Sequence, residues 1–269
     1  MATIWEETKK QTSKMKGRPL KEKIAYIWEY YHIVILIAAG ALFIIVSLIK
    51  AFVTSKDYAL SVVMINSVAG AFEGVTEGWT SELTDILDFD EKKYEVYIDT
   101  SMMIGRADVT ASQEYASLQK FAALMSSKSM DIITADTPRF EQYAQNQYFL
   151  DLRDVFSTEE LDEMSEYIYY TDAATYSDYD SDVDPSVDVN ALQAAYVIDH
   201  RDPSSMKEPV PVGFFIPESS RLGASGIYSH LPAEESFQGH PSEAVIGIAI
   251  NSPRLDNAKT GVEYFINAD

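Results

Sequence analysis

The chain has 269 residues, 42 acidic and 21 basic side chains, a formal net charge of −21 and no cysteine. That charge repels phosphate and disfavours nucleic acid as a partner, and without cysteine there are no disulfides and no lipidated thiol. With 46% apolar and 12% aromatic residues, the bulk of the chain folds rather than staying disordered.

Residues 1–32 carry seven basic and four acidic side chains, a balance of +3. The stretch 15–28, MKGRPLKEKIAYIW, predicts a helix that starts after Pro19 and runs onward. Its basic residues either bind a lipid surface or only set topology. An uncharged run follows at 30–49, within which 33–49 reads IVILIAAGALFIIVSLI. About 20 helical residues span a hydrocarbon core of about 30 Å. His32 and Lys50 bracket the run, and Trp28, Tyr30, Tyr31 and Phe52 stand at its edges, where amphipathic rings favour the headgroup region.

The sequence therefore predicts a basic cytoplasmic tail at 1–29, a transmembrane signal-anchor helix at 30–53 and an extracellular α/β domain at 54–269. The bilayer is the first expected partner. The region 51–269 carries −25 against the +3 of the tail, and Lys and Arg stay on the cytoplasmic side. A cleavable signal peptide would have an apolar core of about 7–15 residues and a small-residue cleavage site. Lys50-Ala51-Phe52-Val53 fits that poorly, so the anchor is retained. Ala38-Ala39-Gly40-Ala41 lacks the small-xxx-small spacing of close-packed helix dimers. An exported domain of this size without disulfides suits a bacterial cell surface.

Beyond the span, strand-like and helix-like segments alternate. ALSVVMIN at 59–66 predicts a strand ending in a polar turn, Asn66-Ser67. A helix over 77–87 places Trp79, Leu83, Ile86 and Leu87 together, and YEVYI at 94–98 alternates as a strand. A helix over 111–125 groups Tyr115, Leu118, Phe121, Ala122 and Met125 on one face. MDIITA at 130–135 is a strand, and Asp136-Thr137-Pro138 opens a helix with a cap and an early proline. Ser157-Thr158-Glu159-Glu160 matches a capping box. The segment 171–190, TDAATYSDYDSDVDPSVDVN, reads as an exposed acidic loop. AVIGIAI at 244–250 is a strand, followed by a helix with Ser252 as N-cap, Pro253 as first residue, and Ala258, Val262, Phe265 and Ile266 inward. Strands alternating with helices predict the α/β class with parallel βαβ units.

Signals for catalysis are weak. Asp178, Asp180 and Asp182 have the 1-3-5 spacing of an EF-hand loop, but Val183 and Val189 occupy its required Gly and Glu positions. A solvated loop explains them, with weak cation capture as the alternative. The four histidines, His32, His200, His230 and His240, are scattered and lack zinc-site spacing. Asp199-His200-Arg201-Asp202 reads as a charged turn, and Gly223-Ala224-Ser225-Gly226 lacks the spacing of a nucleophile elbow. The sequence supports no enzyme, no cofactor and no metal site.

Two stretches carry a resemblance. MDIITADTPRFEQYAQNQYFLDLRDV at 130–155 and VIGIAINSPRLDNAKTGVEYFIN at 245–267 resemble segments of bacterial extracellular solute-binding proteins. The basic lead and single span before the domain are similar to membrane-anchored proteins of anaerobic Firmicutes. The resemblance implies a type 2 periplasmic-binding-protein-like fold with ligand held between two lobes. The second lobe, at 157–239, would be reduced, and the lipoprotein cysteine is replaced by the membrane helix. In such a fold ligands meet the carboxyl ends of parallel strands, here Asn66, Ser67, Thr100, Ser101, Asp136 and Thr137. The same residue types also cap helices. The implied role is to bind an unidentified small molecule or hand it to a membrane transporter. The alternative is a surface interaction or assembly protein that has lost the cleft.

Overall fold

The computed structural model describes residues 19–54, 56–68, 74–106, 108–176, 198–229 and 243–267. It divides into two compact units, Met1–Ser55 and Lys56–Asp269.

The described part of the first unit is one helix, α1 (Leu20–Thr54). Its window Tyr31–Leu48 is strongly apolar, with a mean hydropathy of 2.5, and has no residue buried inside the protein. Ile33, Leu36, Phe43 and Leu48 are all exposed. A helix apolar on every side has no solvent-facing stripe to turn towards water. α1 is thus long and apolar enough to cross a membrane.

The second unit is built on a six-stranded sheet: β1 (Asp57–Met64), β2 (Tyr94–Asp99), β3 (Ile132–Asp136), β4 (Ile168–Asp172), β5 (Pro209–Phe215) and β6 (Ala244–Ile248), in the order β2-β1-β3-β6-β5-β4. Its helices are α2 (Val75–Leu87), α3 (Ala111–Ser126), α4 (Thr137–Gln145), α5 (Thr158–Glu163), α6 (Arg221–Ala224) and α7 (Leu255–Ile266). β1 buries side chains on both faces. Leu60, Val62 and Met64 join one cluster with Trp79 and Leu83 of α2 and with Val262 and Phe265 of α7. Val63 and Ile65 join the other, with Phe121 of α3 and Phe140 of α4. The sheet is therefore a middle layer with helices on both sides, as the period of two in a doubly buried strand requires. The step from β1 to β2 and the step from β2 back past β1 to β3 run in opposite directions. Crossovers of one hand then place α2 and α3 on opposite faces.

The α/β class holds, and β1, β2 and β3 are mutually parallel. The parallel expectation stops there. β6 runs antiparallel to both β3 and β5, and β4 is antiparallel to β5. β5 ends at the edge where β6 begins, so this antiparallel pair needs no crossover helix. Among the described residues this one sheet carries the whole second unit.

Several local expectations shift. Thr171 and Asp172, read as the start of the acidic loop, belong to β4 and are buried. Asp172 accepts hydrogen bonds from the amides of Ala174, Lys207 and Glu208. The remainder of that segment from 177 onward lies outside the described residues, including Asp178, Asp180 and Asp182. Tyr115 and Leu118 of α3 are 63% and 42% exposed, so only Phe121 and Met125 of the expected face reach the core. α7 begins at Leu255 with Arg254 at the cap position. Ser252 lies three residues before Leu255 and is not its cap; its hydroxyl accepts the Arg254 N–H at 3.3 Å and donates to Asp131 Oδ1 at 2.6 Å. The capping box at Ser157 and Glu160 forms in full.

Candidate functional site

The parallel run of β1, β2 and β3 brings their carboxyl ends to one edge of the sheet. β1 gives way to a turn in which Asn66 adopts φ 60, a left-handed conformation that asparagine tolerates better than most residues. Asn66 is buried and fully engaged. Its amide N–H donates to the Met102 carbonyl at 2.9 Å. Its Oδ1 accepts from Ile104 N at 2.8 Å, and its Nδ2 donates to Ile104 O at 2.9 Å and to Asp136 Oδ1 at 2.7 Å. Asn66 therefore clips the 102–104 loop and the end of β3 onto the end of β1. Ser67 is also buried and donates to the Met64 carbonyl at 3.1 Å.

At the end of β2 the organising residue is Asp99. It is buried, and its Oδ1 accepts from Ser101 N at 2.9 Å and Ser101 Oγ at 2.7 Å. Lys120 Nζ from α3 lies 2.5 Å from Asp99 Oδ2 and donates to Ser101 Oγ at 3.1 Å. Burial works against the Asp99 carboxylate, but the hydrogen bonds from Lys120 and Ser101 outweigh it and hold its pKa below the ordinary value. Thr100 is half-buried and Ser101 exposed.

At the end of β3, Asp136 stands at the cap position of α4, yet its side chain does not cap the helix. It turns to Asn66 instead. Thr137 is buried and ties β3 to the start of β6. Its N–H and Oγ1–H donate to the Glu243 carbonyl at 2.8 and 2.7 Å, and its Oγ1 accepts from Glu243 N at 3.2 Å. The six expected residues thus share one edge, but four of them fall into three separate clusters, Asn66 with Asp136, Thr137 with Glu243, and Ser101 with Asp99, while Ser67 bonds back to Met64 and Thr100 joins none of the three.

Two further residues complete the β1–β3 cluster. Arg106 donates from Nη1 to the Asn66 carbonyl at 3.5 Å and pairs with Asp108 at 2.7 Å. Its pKa is raised, first by the hydrogen bond to Asp108 and more weakly by the charge of Asp136. Tyr228 places its hydroxyl 2.6 Å from Thr134 Oγ1 and donates to the Ile65 carbonyl at 3.0 Å. Burial pushes this phenol far above its ordinary pKa, so it remains a neutral hydrogen-bonding group. Asp99 was legible in principle as the residue that closes the alternating strand 94–98. Nothing local ties Arg106 and Tyr228 to this cluster, because Asn66 and Ile65 lie 40 and 163 residues from them.

The geometry offers one carboxylate, one guanidinium and one amide, which suit hydrogen bonding and charge recognition. Among the described residues no group of three potential metal ligands converges. His200 sits in a turn and faces inward. Its Nδ1 lies 2.8 Å from the Tyr170 carbonyl, its Nε2 is 3.7 Å from Glu141 Oε1, and its ring stacks on Tyr169 at 4.3 Å. Its carboxylate neighbour is therefore Glu141 of α4, not the adjacent aspartates. Asp199 accepts the Arg201 N–H at 3.0 Å.

No family model matches the chain, and neither a curated protein nor a solved structure matches it.

Proposed function

We propose that this is a single-pass membrane protein with its basic tail in the cytoplasm and its 54–269 region outside a bacterial cell. The outer domain serves there as an interaction or assembly module. The observation that supports this reading is the state of the carboxyl edge. Asn66, Ser67 and Thr137 are buried, and the hydrogen bonds of their side chains are made within the fold. A solute site needs convergent polar groups that line a concavity and find their partners on the ligand. Groups already satisfied internally gain little from a ligand, since each new bond replaces an old one. The topology rests on the +3 tail against the −25 of 51–269.

One observation favours the solute-binding reading, in which the domain takes a small ligand or passes it to a transporter. Asp136 Oδ2 takes no hydrogen bond among the described residues, and Arg106 lies within electrostatic reach of that carboxylate. A ligand cation or hydroxyl could then meet Asp136, and a ligand anion Arg106.

The two readings separate on the full chain held in lipid nanodiscs. Thermal shifts are recorded against amino acids, sugars and short peptides, and a photocrosslinking residue replaces Thr100 in cells. The interaction reading expects no solute response and one reproducible crosslinked surface protein. A solute that stabilises by about 2.7 kcal/mol at about 100 times its dissociation constant, with the effect lost in Asp136→Ala, overturns it. Protease added to intact cells should remove the 54–269 region. Protection of that region overturns the topology.

A further inference from the structure

The two edge strands of the sheet are finished differently. The chain seals β4 itself: the Tyr170 N–H donates to the His200 carbonyl at 2.9 Å, and the Ala173 N–H just beyond the strand donates to the Glu208 carbonyl at 2.9 Å. β2 is the other edge, and among the described residues no strand pairs with its outer side. The Asp57 N–H meets the Lys93 carbonyl at 2.8 Å, which aims that carbonyl at β1. Main-chain groups alternate along a strand, so those of Glu95 and Tyr97 face β1 while Val96 and Ile98 turn theirs outward. The Tyr94 carbonyl turns outward too, and the Tyr94 N–H is taken by the Asp90 carbonyl at 3.0 Å. An open edge of this kind is a template for another strand.

The helices on either side of β2 keep charge away from this edge. Tyr264 Oη of α7 donates to Glu82 Oε2 of α2 at 2.8 Å. The opposite flank of α2, with Thr76, Thr80 and Thr84, therefore faces away from α7, towards the open side of β2. The hydroxyls of Thr80 and Thr84 donate back to the carbonyls of Thr76 and Thr80 at 2.7 Å and need no outside partner. On the other face, Lys120 of α3 reaches Asp99 at the end of β2. Ala116, Gln119 and Ala123 lie beyond Lys120 on the flank away from buried Phe121, and all three are exposed. None of these six side chains is charged, in a region with 13 basic and 38 acidic ones. Two copies that each carry −25 there repel one another, so a contact between them needs a strip of this character.

β2 is also complementary to itself. In an antiparallel pair with Val96 on a two-fold axis, each Val96 exchanges both main-chain bonds with its counterpart, and the Ile98 N–H meets the carbonyl of the partner's Tyr94. Tyr94 then lies opposite the partner's Ile98, and Glu95 opposite the partner's Tyr97. Lys93, whose side chain is 73% exposed, lies opposite the partner's Asp99. The neighbouring registers bring like charges together: an axis at Glu95 sets Glu95 against its own counterpart, and an axis at Tyr97 sets Glu95 against the partner's Asp99. Like charges directly opposite destabilise a strand pair. We propose that this edge is a homodimer interface, in which β2 pairs antiparallel with β2 of a second copy about Val96 and the two sheets become one. The proposal rests on the assembly reading above and names its partner, and it draws on the second unit alone.

The chain has no cysteine, so introduced thiols report without background. Glu95 and the partner's Tyr97 form a non-hydrogen-bonded pair with Cα atoms about 4.5 Å apart, within disulfide reach. Identical positions stand two residues out of register, beyond the limit of about 7 Å. Full-length Glu95→Cys and Tyr97→Cys chains are expressed together in cell membranes, oxidised with copper phenanthroline and separated without reductant. The mixture should give a two-chain band that neither variant gives alone. Arg201→Cys, at the β4 edge, should give none with Tyr97→Cys. The unaltered chain in detergent supplies a second reading: amide exchange at Val96 and Ile98 should slow as its concentration rises. No mixed band, an equal band with Arg201→Cys, or fast exchange at every concentration overturns the proposal. A band from either variant alone overturns the register. If Thr100 crosslinks to a different protein and no mixed band forms, the second copy is wrong while the assembly reading stands. A solute response lost in Asp136→Ala overturns that reading itself.

Discussion

Asn66→Asp isolates the contact that joins β1 to β3. The substitution keeps size and tolerance of the left-handed backbone, and it keeps an acceptor for Ile104 N–H. It replaces the Nδ2 donor, which lies 2.7 Å from Asp136 Oδ1 and 2.9 Å from Ile104 O, with a second carboxylate oxygen. Two carboxylates this close do not both ionise, so the pair retains a proton. Holding a proton at pH 7 on a group of pKa about 4 costs about 4 kcal/mol, at about 1.4 kcal/mol per pH unit. That sets the scale of the loss at pH 7. The retained proton raises the folded pKa above the unfolded one. The penalty therefore shrinks as pH falls, by about 2.7 kcal/mol between pH 7 and pH 5. Urea unfolding of the full chain in detergent at both pH values, beside wild type, measures this directly. A variant as stable as wild type at pH 7, or one whose deficit is the same at pH 5, would refute the Asn66–Asp136 contact.

Other perturbations probe the remaining clusters. Asp131→Ala strands the Arg254 guanidinium and the Ser61 amide and should cost about 3–5 kcal/mol, read as a drop in the urea midpoint. Asp99 has a folded pKa below its unfolded value, so its contribution is present above the unfolded pKa and disappears as pH falls through the folded one. Lys120→Gln should therefore move acid unfolding to higher pH, and an unchanged acid midpoint would count against the Lys120–Asp99 pair. At Gly213 an added Cβ would lie 2.6 Å from Phe140 Cζ and 2.7 Å from the Ile246 carbonyl oxygen. Gly213→Ala should lose about 1–3 kcal/mol by overpacking, and a neutral thermal melt would contradict that packing.

The first half of the second unit was readable because local pattern and tertiary role agree there. β1, β2 and β3 are short apolar or alternating runs, and the helices between them carry clear caps or periodicity. β4 and β5 were missed for identifiable reasons. IYYTD runs directly into the acidic segment, and PVPVGFF contains two prolines and a glycine, residues that argue against a paired inner strand. Pro211 is accommodated where the β4–β5 register shifts. The direction of β6 was not legible, since composition does not tell parallel from antiparallel. Ser252-Pro253 has the form of a helix start, but a carboxylate 121 residues away takes the hydroxyl. The strand-end residues were correctly located on one edge. Their partners, Ile104, Glu243 and Lys120, sit 19 to 106 positions distant and leave no trace in a short window.

The placement of β6 also sets the order in which the domain can be completed. β6 lies between β3 and β5, so the ladder β2-β1-β3 and the ladder β5-β4 share no strand pairing until residues 244–248 arrive. α7, which covers β1 and β3, comes later still. During N-to-C synthesis two half-sheets would each present an open apolar edge, the kind of surface that invites mispairing. Closure depends on contacts of long sequence separation, which form slowly. A chain halted at residue 243 would hold both halves without the strand that pairs them. The final strand acts as a wedge that converts two aggregation-prone intermediates into one domain, and the dwell time before it is made is the period in which a chaperone has most to protect.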